Sequence, residues 1–288
     1  MSVSLSVSPP KLPETQGPPC QDNPEKILFV GEGNFSFTEA YIKKHPKVAH
    51  SIVATDYKKD YETDCELERI EYGSSYLCNR CTRIQELPKS GVKVFLGIDG
   101  TKLHETENLK PFKFSRIQWN CPHDGNDVKK GTNRLLIQSF FESCAKIQEI
   151  SHRVHMTLVQ LKENKSFYQC SLCNIVKAAS AAGYILIKKR LFDSNRYPGY
   201  QHSQTNINIS AKVTEEGMRE FIFEKLDTKL FQSIRKSSST LKSLAEALKK
   251  HSDKTYTIGE YSDHQMKRTL YYYECSTDDD SSDCESKE

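Results

Sequence analysis

Four polar turns in this sequence contain residues that could bind an adenosine-containing cofactor and support chemistry beside it. Each turn directly follows a predicted strand, and the turns are Gly31-Glu32-Gly33-Asn34, Asp56, Asp99-Gly100-Thr101 and Asn120-Cys121-Pro122-His123-Asp124-Gly125. In an open parallel sheet, ligands bind beyond the carboxyl ends of the strands. Asp, Asn and Gly also favour ordinary turns, so each turn alone has a purely structural explanation. Together they predict a ligand site.

The first turn follows an apolar strand and precedes a helix start. Gly31 and Gly33 allow a sharp turn and a close approach to a ligand, because neither carries a Cβ atom. Ser36 is predicted to cap the helix at 37–44. A dinucleotide fingerprint needs a third glycine where Ser36 stands, so the turn favours S-adenosylmethionine, which has no pyrophosphate, over NAD or FAD. A tight turn without a ligand is the alternative for this motif taken alone.

Two acids at the next strand ends complete the predicted cofactor site. Asp56 follows the glycines by roughly 20 residues, where a carboxylate can accept hydrogen bonds from ribose hydroxyls. The turn that begins at Asp99 suits the adenine edge. The predicted cofactor-binding residues are Gly31, Glu32, Gly33, Asn34, Phe35, Ser36, Asp56, Asp99, Gly100 and Thr101.

The fourth turn contains the predicted catalytic residues Asn120, Pro122, His123 and Asp124. Its Asn-x-Pro-His pattern resembles the Asn-Pro-Pro-aromatic turn of amino-group methyltransferases. In that turn, an asparagine side-chain oxygen and a backbone carbonyl face the nitrogen that is methylated. His123 could stack on a base or remove a proton, since histidine titrates near neutral pH. Asp124 is the reserve base.

A further polar segment, FDSNRYPGYQHSQTN at 192–206, combines aromatic and basic side chains. Arg196, Tyr197, Tyr200 and His202 suit base stacking and phosphate contacts, so they are the predicted RNA-binding residues. Composition alone slightly favours an ordinary surface loop.

Alternating strand and helix patterns place these segments. Strands are predicted at 26–31, 51–56, 92–98, 115–120, 153–160 and 184–192, followed by an antiparallel strand at 219–224. Helical patterns lie at 37–44, 64–87, 103–108, 133–148 and 168–182. The alternation predicts an α/β fold with a doubly wound, mostly parallel, seven-stranded Rossmann-like sheet.

Composition and charge indicate a globular body with polar ends. We expect a disordered arm at 1–24, the Rossmann-like domain at 25–225, a helical extension at 226–273 and an acidic disordered tail at 274–288. The tail holds seven acids and one base, which leaves residues 1–273 with a net charge of +9, compatible with a polyanionic partner. No apolar run approaches the ~20 residues of a membrane span, and no signal-peptide core is present, so we expect an intracellular protein that does not enter membranes.

Ten cysteines include two C-x-x-C pairs, Cys78 with Cys81 and Cys170 with Cys173. The pairs lie much further apart than the roughly 15 to 20 residues typical of zinc ribbons. Both occur in helix-like sequence, so we expect core packing and no metal site. Disulfides are not expected in a reducing compartment.

Several of these segments resemble the Rossmann-like domain of eukaryotic large-subunit rRNA (uridine-N3)-methyltransferases. The matching segments are VGEGNFSF at 30–37, GIDGTKL at 97–103, WNCPHDG at 119–125, NRLLIQSFF at 133–141, VHMTL at 154–158 and FDSNRYPGYQHSQT at 192–205. They occur in family order and cover about residues 25–225. The resemblance implies a class I methyltransferase fold, S-adenosyl-L-methionine as cofactor, a transfer site at 120–123 and a functional YPGYQH loop.

The resemblance also implies rRNA (uridine-N3)-methylation, with large-subunit rRNA as partner and a nucleolar or nuclear location in a eukaryote, or otherwise a cytoplasmic one. We expect a monomer. One departure is that the family carries Ala-Thr-Ser-aromatic-Asp after the second strand, whereas this chain has its acid, Asp56, two places earlier. The alternative function is a catalytically inactive methyltransferase-like module that binds RNA or a protein.

Overall fold

The computed structural model describes residues 25–61, 78–123, 132–159, 175, 178–202 and 218–227. Its strands are β1 Lys26–Val30, β2 Ile52–Asp56, β3 Lys93–Leu96, β4 Phe114–Asn120, β5 Arg153–Val159, β6 Tyr184–Leu191 and β7 Met218–Lys225. They form one sheet in the order β3-β2-β1-β4-β5-β7-β6. Strands β1 to β5 pair in parallel, and β7 is antiparallel to both of its neighbours. The predicted seven-stranded, mostly parallel sheet is thereby confirmed.

Three α-helices accompany the strands in the described ranges: α1 Ser36–Lys44, α2 Asn79–Glu86 and α3 Thr132–Ile147. The predicted helix at 64–87 is described over 78–87, of which α2 is helical, and the one at 168–182 is described at residues 175 and 178–182, of which 175 and 178–181 are helical. The predicted helix at 103–108 was wrong, because two short 3₁₀ turns, Gly100–Glu105 and Glu107–Leu109, occupy that segment. Within the described ranges, no helix is long and apolar enough to cross a membrane.

The sheet is packed on both faces, as the unbroken apolar run of β1 predicts. Leu28 belongs to the apolar layer that contains Phe140 of α3. Phe29 points the other way and meets two rings of α1, with centroid distances of 5.2 Å to Phe37 and 5.1 Å to Tyr41. Apolar side chains therefore cover both faces of β1.

Other sequence predictions meet the structure only in part. Cys78 is a buried free thiol, as expected for core packing, whereas Cys81 is disulfide-bonded, which corrects the expectation of no disulfide. Cys170, Cys173 and Asp124 lie outside the described residues, as do the arm at 1–24 and residues 228–288. No cluster of three or more potential metal ligands occurs among the residues that are described.

Candidate active site

The glycine turn after β1 is shaped by the protein beneath it. Gly31 and Gly33 have φ angles of 63° and 64°, which glycine adopts readily. A Cβ atom on Gly31 would lie 2.5 Å from Nε1 of Trp119, on the neighbouring strand β4. Gly31 is therefore required by packing, a reason that the sequence pattern did not reveal.

Trp119 also lies beside the turn after β3. A Cβ atom on Gly100 would be 3.0 Å from Cγ1 of Val30 and 3.4 Å from the Trp119 ring. Asp99 shapes this turn, because its Oδ1 accepts hydrogen bonds from the Thr101 backbone N–H at 2.9 Å and hydroxyl at 2.7 Å. The chain's single tryptophan thus underlies two of the predicted cofactor turns.

Asp56 ties the end of β2 to the glycine turn. Its Oδ1 accepts a hydrogen bond from the Gly33 N–H at 3.0 Å, and its Oδ2 accepts one from the Lys58 N–H at 3.2 Å. The Tyr61 hydroxyl contacts Oδ2 as well. A carboxylate has about four acceptor positions, so at least one remains for a ribose hydroxyl. The acid therefore lies where the sequence predicted it and fits the predicted cofactor.

The start of α1 is capped by Glu32. Its Oε2 accepts hydrogen bonds from the backbone N–H of Thr38 at 2.9 Å and from the Thr38 hydroxyl at 2.6 Å. That N–H is one of the first helical donors, which have no partner inside the helix. The predicted cap by Ser36 was wrong: Ser36 is the first helical residue, and Phe35 before it has φ 57° and makes no side-chain cap.

The carboxyl group of Glu32 is buried where it caps α1, although the residue as a whole is partly exposed. Burial raises the pKa of Glu32 to about 7, and the nearby Asp56 charge adds to the rise. The hydrogen bonds from Thr38 act in the opposite direction and do not overcome the burial. Glu32 thus titrates near neutral pH.

The YPGYQH loop, residues 197–202, is fixed to the glycine turn through Gln201. The Gln201 carbonyl oxygen accepts hydrogen bonds from Asn34 Nδ2 at 3.1 Å and from the Ser36 hydroxyl at 2.9 Å. The Gln201 N–H donates to the same hydroxyl at 2.9 Å. Asn34 Oδ1 also accepts from the Ser36 N–H at 3.0 Å. Two motifs that are distant in the sequence therefore form one unit.

The two tyrosines of this loop pack against the protein. Their ring centroids lie 5.0 Å (Tyr197) and 5.7 Å (Tyr200) from that of Phe37, and both rings also contact Phe192. Part of each surface that was predicted to stack on a base is therefore covered. Burial raises the pKa of Tyr200. Tyr200 and Cys121 of the fourth turn pack against the same apolar cluster, which also contains Phe35 of the first turn's helix junction.

The two basic residues predicted to bind RNA remain accessible. Arg196 is exposed, and its carbonyl oxygen accepts a hydrogen bond from Lys44 Nζ at 3.1 Å. His202 is partly exposed, and burial lowers its pKa. Arg196 is therefore the member of the predicted RNA-binding set that the structure leaves most accessible.

The fourth turn begins with an uncommon backbone conformation. Cys121 has φ 51°, a value that few non-glycine residues adopt, and its N–H donates to the Thr157 carbonyl oxygen at 2.7 Å. Burial raises the pKa of the Cys121 thiol to about 12, so it is protonated at neutral pH and is no nucleophile. Pro122 is buried and His123 is partly exposed. The turn thus places Asn120 and His123 at the carboxyl end of β4.

The side-chain oxygen of Asn120 is used within the protein. Asn120 Oδ1 accepts hydrogen bonds from Gln118 Nε2 at 2.9 Å and from the Thr157 hydroxyl at 2.8 Å. The sequence comparison with amino-group methyltransferases predicted that this oxygen would face the substrate nitrogen, so that expectation is corrected. Gln118 and Thr157 were missed, although the alternation of polar residues at 116, 118 and 120 is a readable signal.

Known proteins are similar in sequence to part of this chain. Mouse ferredoxin-fold anticodon-binding domain-containing protein 1 homolog is 29% identical over 186 residues, which are 62% of this chain and 28% of the mouse protein. Arabidopsis thaliana heavy metal-associated isoprenylated plant protein 41 is 25% identical over 185 residues, which are 62% of this chain and 33% of that protein. This chain therefore spans a third or less of the length of these two relatives.

Among solved structures, the backbone of TrmN from Thermus thermophilus is similar to that of this chain. The two have 16% sequence identity and a TM-score of 0.37, over 70% of this chain and 44% of TrmN. The strand order described above, and not this likeness, establishes the fold. The family model described as rRNA (uridine-N3-)-methyltransferase BTM5-like matches residues 28–204, more than half of the chain, and includes the first four turns and the YPGYQH loop. This chain belongs to that BMT5-like family, as its motifs predicted.

Proposed function

We propose that this protein is an S-adenosylmethionine-dependent methyltransferase that modifies N3 of uridine in rRNA, in agreement with its family. The observation that supports the proposal best is the junction at Gln201. It joins the glycine turn to the YPGYQH loop, while Tyr200 and Cys121 of the fourth turn pack against the same apolar cluster. The predicted cofactor, transfer and RNA segments are therefore neighbours at one edge of the sheet.

The predicted cofactor residues divide into two roles. Asp56 would accept hydrogen bonds from ribose hydroxyls, and the turn 99–101 would line the adenine. Glu32, Asn34 and Ser36 act indirectly, because their side chains hold α1 and the YPGYQH loop in place. When bound, S-adenosylmethionine supplies a methyl group that its sulfonium already activates.

The fourth turn would handle the substrate base. The N3–H of uridine is a poor nucleophile until it loses its proton, so a site that methylates it needs a base or a means to stabilise the anion. His123 is the proposed base, with Asp124 in reserve, and Asn120 orients the base ring. Holding the ring in the reactive geometry supplies most of the acceleration.

A basic rim beside the loop favours RNA. Lys44 and Arg196 are both exposed, and Lys44 Nζ donates to the Arg196 carbonyl oxygen at 3.1 Å, so two cationic residues lie side by side. Exposed cations next to the site support phosphate contacts. We further propose large-subunit rRNA as the substrate, a monomeric enzyme with its methyltransferase domain at 25–225, and a nucleolar location in a eukaryotic cell.

The test is mass spectrometry of rRNA nucleosides from cells with and without the gene. The proposal expects 3-methyluridine to fall at one rRNA position and to return when the gene is restored. An unchanged 3-methyluridine level would contradict it and would favour the inactive RNA- or protein-binding module. Restoration by the Asp56→Asn variant at the wild-type level would contradict the proposed cofactor site.

A further inference from the structure

A row of polar side chains on β4 leads from the buried sheet to Asn120. Arg116, Gln118 and Asn120 alternate along the strand, so they share one face. Gln118 is buried, and the Arg116 guanidinium lies over the Tyr41 ring at 5.5 Å and 3.9 Å from Oε1 of buried Glu220. The row is therefore anchored at its inner end by a fixed positive charge.

The chemistry of these groups determines which way each amide faces. An arginine side chain has donors only, so Gln118 turns its Oε1 toward Arg116. Gln118 must then present Nε2 to Asn120, and it donates to Oδ1 over 2.9 Å. The Thr157 hydroxyl donates to the same oxygen over 2.8 Å. A flipped Asn120 amide would set two NH₂ groups against each other and lose the partly buried hydrogen bond between Gln118 and Asn120.

The amide nitrogen of Asn120 is consequently left for another partner. Among the described residues, none accepts a hydrogen bond from Asn120 Nδ2, and Asn120 is partly exposed. Its strand neighbour Trp119 pairs with Val30 immediately before the glycine turn, so the amide lies at the edge where the cofactor turns meet. The protein thus offers hydrogen-bond donors, and not an acceptor, at this point.

We propose that Asn120 donates a hydrogen bond from Nδ2 to a carbonyl oxygen of the substrate base, and that Arg116 and Gln118 are positioning residues that set this polarity. The inference rests on the proposed function and specifies the base class of its substrate. Uracil has a carbonyl on each side of N3, so a donor meets an acceptor in either orientation. Cytosine carries a carbonyl on one side of N3 and an amino group on the other, and adenine carries no carbonyl, so cytosine offers the acceptor in one orientation only and adenine in neither.

The same donor would assist removal of the N3 proton. The negative charge that remains spreads onto the adjacent carbonyl oxygens, and a donor fixed beside one of them stabilises the anion. The base would then ionise at a lower pH than it does in water. A site that presented the asparagine oxygen, as amino-group methyltransferases do, would repel that charge.

Reversal of the polarity at Gln118 tests the inference. In Gln118→Glu the carboxylate still accepts from Arg116 but cannot donate to Asn120, so the Asn120 amide should turn over. With rRNA from cells that lack the gene, we expect the single-turnover rate to fall by about 100-fold and its pH profile to move to higher pH. The matched control Thr157→Val removes one donor without reversing polarity, and we expect a loss of about fivefold or less.

An unchanged rate and pH profile in folded Gln118→Glu would overturn the inference. The same holds if the wild type methylates cytidine or adenosine amino groups, a result that would overturn the proposed function as well. Binding provides a second measurement that needs no methyl transfer. In ¹⁵N spectra, the Asn120 NH₂ signals, identified by their loss in Asn120→Asp, should shift when uridine 5′-monophosphate is added to the wild type.

Those signals should not shift in Gln118→Glu. Equal shifts in both proteins, or none in the wild type, would overturn the polarity assignment. If the wild-type protein transfers no methyl group but shows the expected NMR shifts, the proposed function is contradicted and the polarity assignment is supported. The failures of the two proposals can therefore be told apart.

Discussion

Ser36 and Gln201 are 165 residues apart in the chain, yet the Ser36 hydroxyl donates to the Gln201 carbonyl oxygen and accepts from the Gln201 N–H, both at 2.9 Å. A hydroxyl that satisfies both backbone groups of one residue acts as a clamp. It holds the YPGYQH loop against the first turn of α1, next to the predicted cofactor turn. The predicted RNA-binding loop and the predicted cofactor turn are thereby held together by hydrogen bonds.

Loss of this clamp should loosen the loop. We expect Ser36→Ala to lower the free energy of unfolding by roughly 1 to 3 kcal/mol, because the Gln201 N–H loses its partner and the Gln201 carbonyl oxygen keeps only its bond from Asn34. Ser90→Ala, at an exposed 3₁₀ turn, is the control and should change stability very little. Thermal denaturation measures both. Equal melting temperatures for the two variants would show that the clamp contributes nothing.

Substitutions at Gly31 and Gly199 distinguish the cost of backbone strain from the cost of a packing clash at the cofactor turn. In Gly31→Ala, the new methyl group would meet Trp119 Nε1 at 2.5 Å, whereas at Gly199, with φ 92°, nothing lies within 4 Å of the added atom. Both variants carry the strain of a positive φ, so we expect Gly199→Ala to lose about 1 kcal/mol and Gly31→Ala roughly 2 to 4 kcal/mol. Urea denaturation followed by Trp119 fluorescence gives both values. Equal losses would mean that the indole moves aside without cost.

Trp119 should also report on cofactor binding, since the chain has one tryptophan and it underlies the turns after β1 and β3. We expect S-adenosylmethionine to change its fluorescence in a saturable way and NAD to leave it unchanged. Asp56→Asn should weaken binding about tenfold or more, because the amide presents one acceptor atom where the carboxylate presents two. Asp193→Asn, which alters a capping acid at the 3₁₀ turn Ser194–Arg196, is the control. A wild type that responds to NAD alone would contradict the cofactor assignment.

Glu32 should make stability depend on pH near neutrality. Its pKa is about 7 in the folded protein against 4.5 as the ordinary value. Because the pKa of Glu32 is higher in the folded than in the unfolded protein, protonated Glu32 contributes to the free energy of unfolding. This contribution is fully present below pH 4.5 and is lost as pH rises through 7. Glu32→Gln keeps an acceptor for Thr38 and cannot ionise. We expect it to exceed the wild type in stability at pH 8 by on the order of 3 kcal/mol, and to match it near pH 4.

Chemical denaturation at a series of pH values measures this difference. Glu86→Gln, at an exposed side chain, controls for the loss of a surface charge. A stability difference between Glu32→Gln and the wild type that stays constant from pH 4 to pH 8 would show that the carboxyl of Glu32 is not the titrating group.

The sequence by itself determined the strands of the sheet, although not their order, because the information for each strand is local. The apolar run of β1, the alternation of strands with helices and the final antiparallel segment were sufficient to predict all seven strands. The polar residues at the strand ends followed from the same pattern, since chain direction in a parallel sheet brings the carboxyl ends to one edge. Asp56 and Asn120 were found in this way.

Only the tertiary structure decided what those side chains do, because each role depends on partners that the sequence does not place nearby. Glu32, and not Ser36, caps α1, since the Ser36 hydroxyl is hydrogen-bonded to Gln201, which lies 165 residues later in the sequence. The amide of Asn120 faces as it does because Gln118 and Thr157, on two different strands, both donate to its oxygen. A hydrogen bond needs direction as well as proximity, and the sheet register supplies both only after the strands have paired.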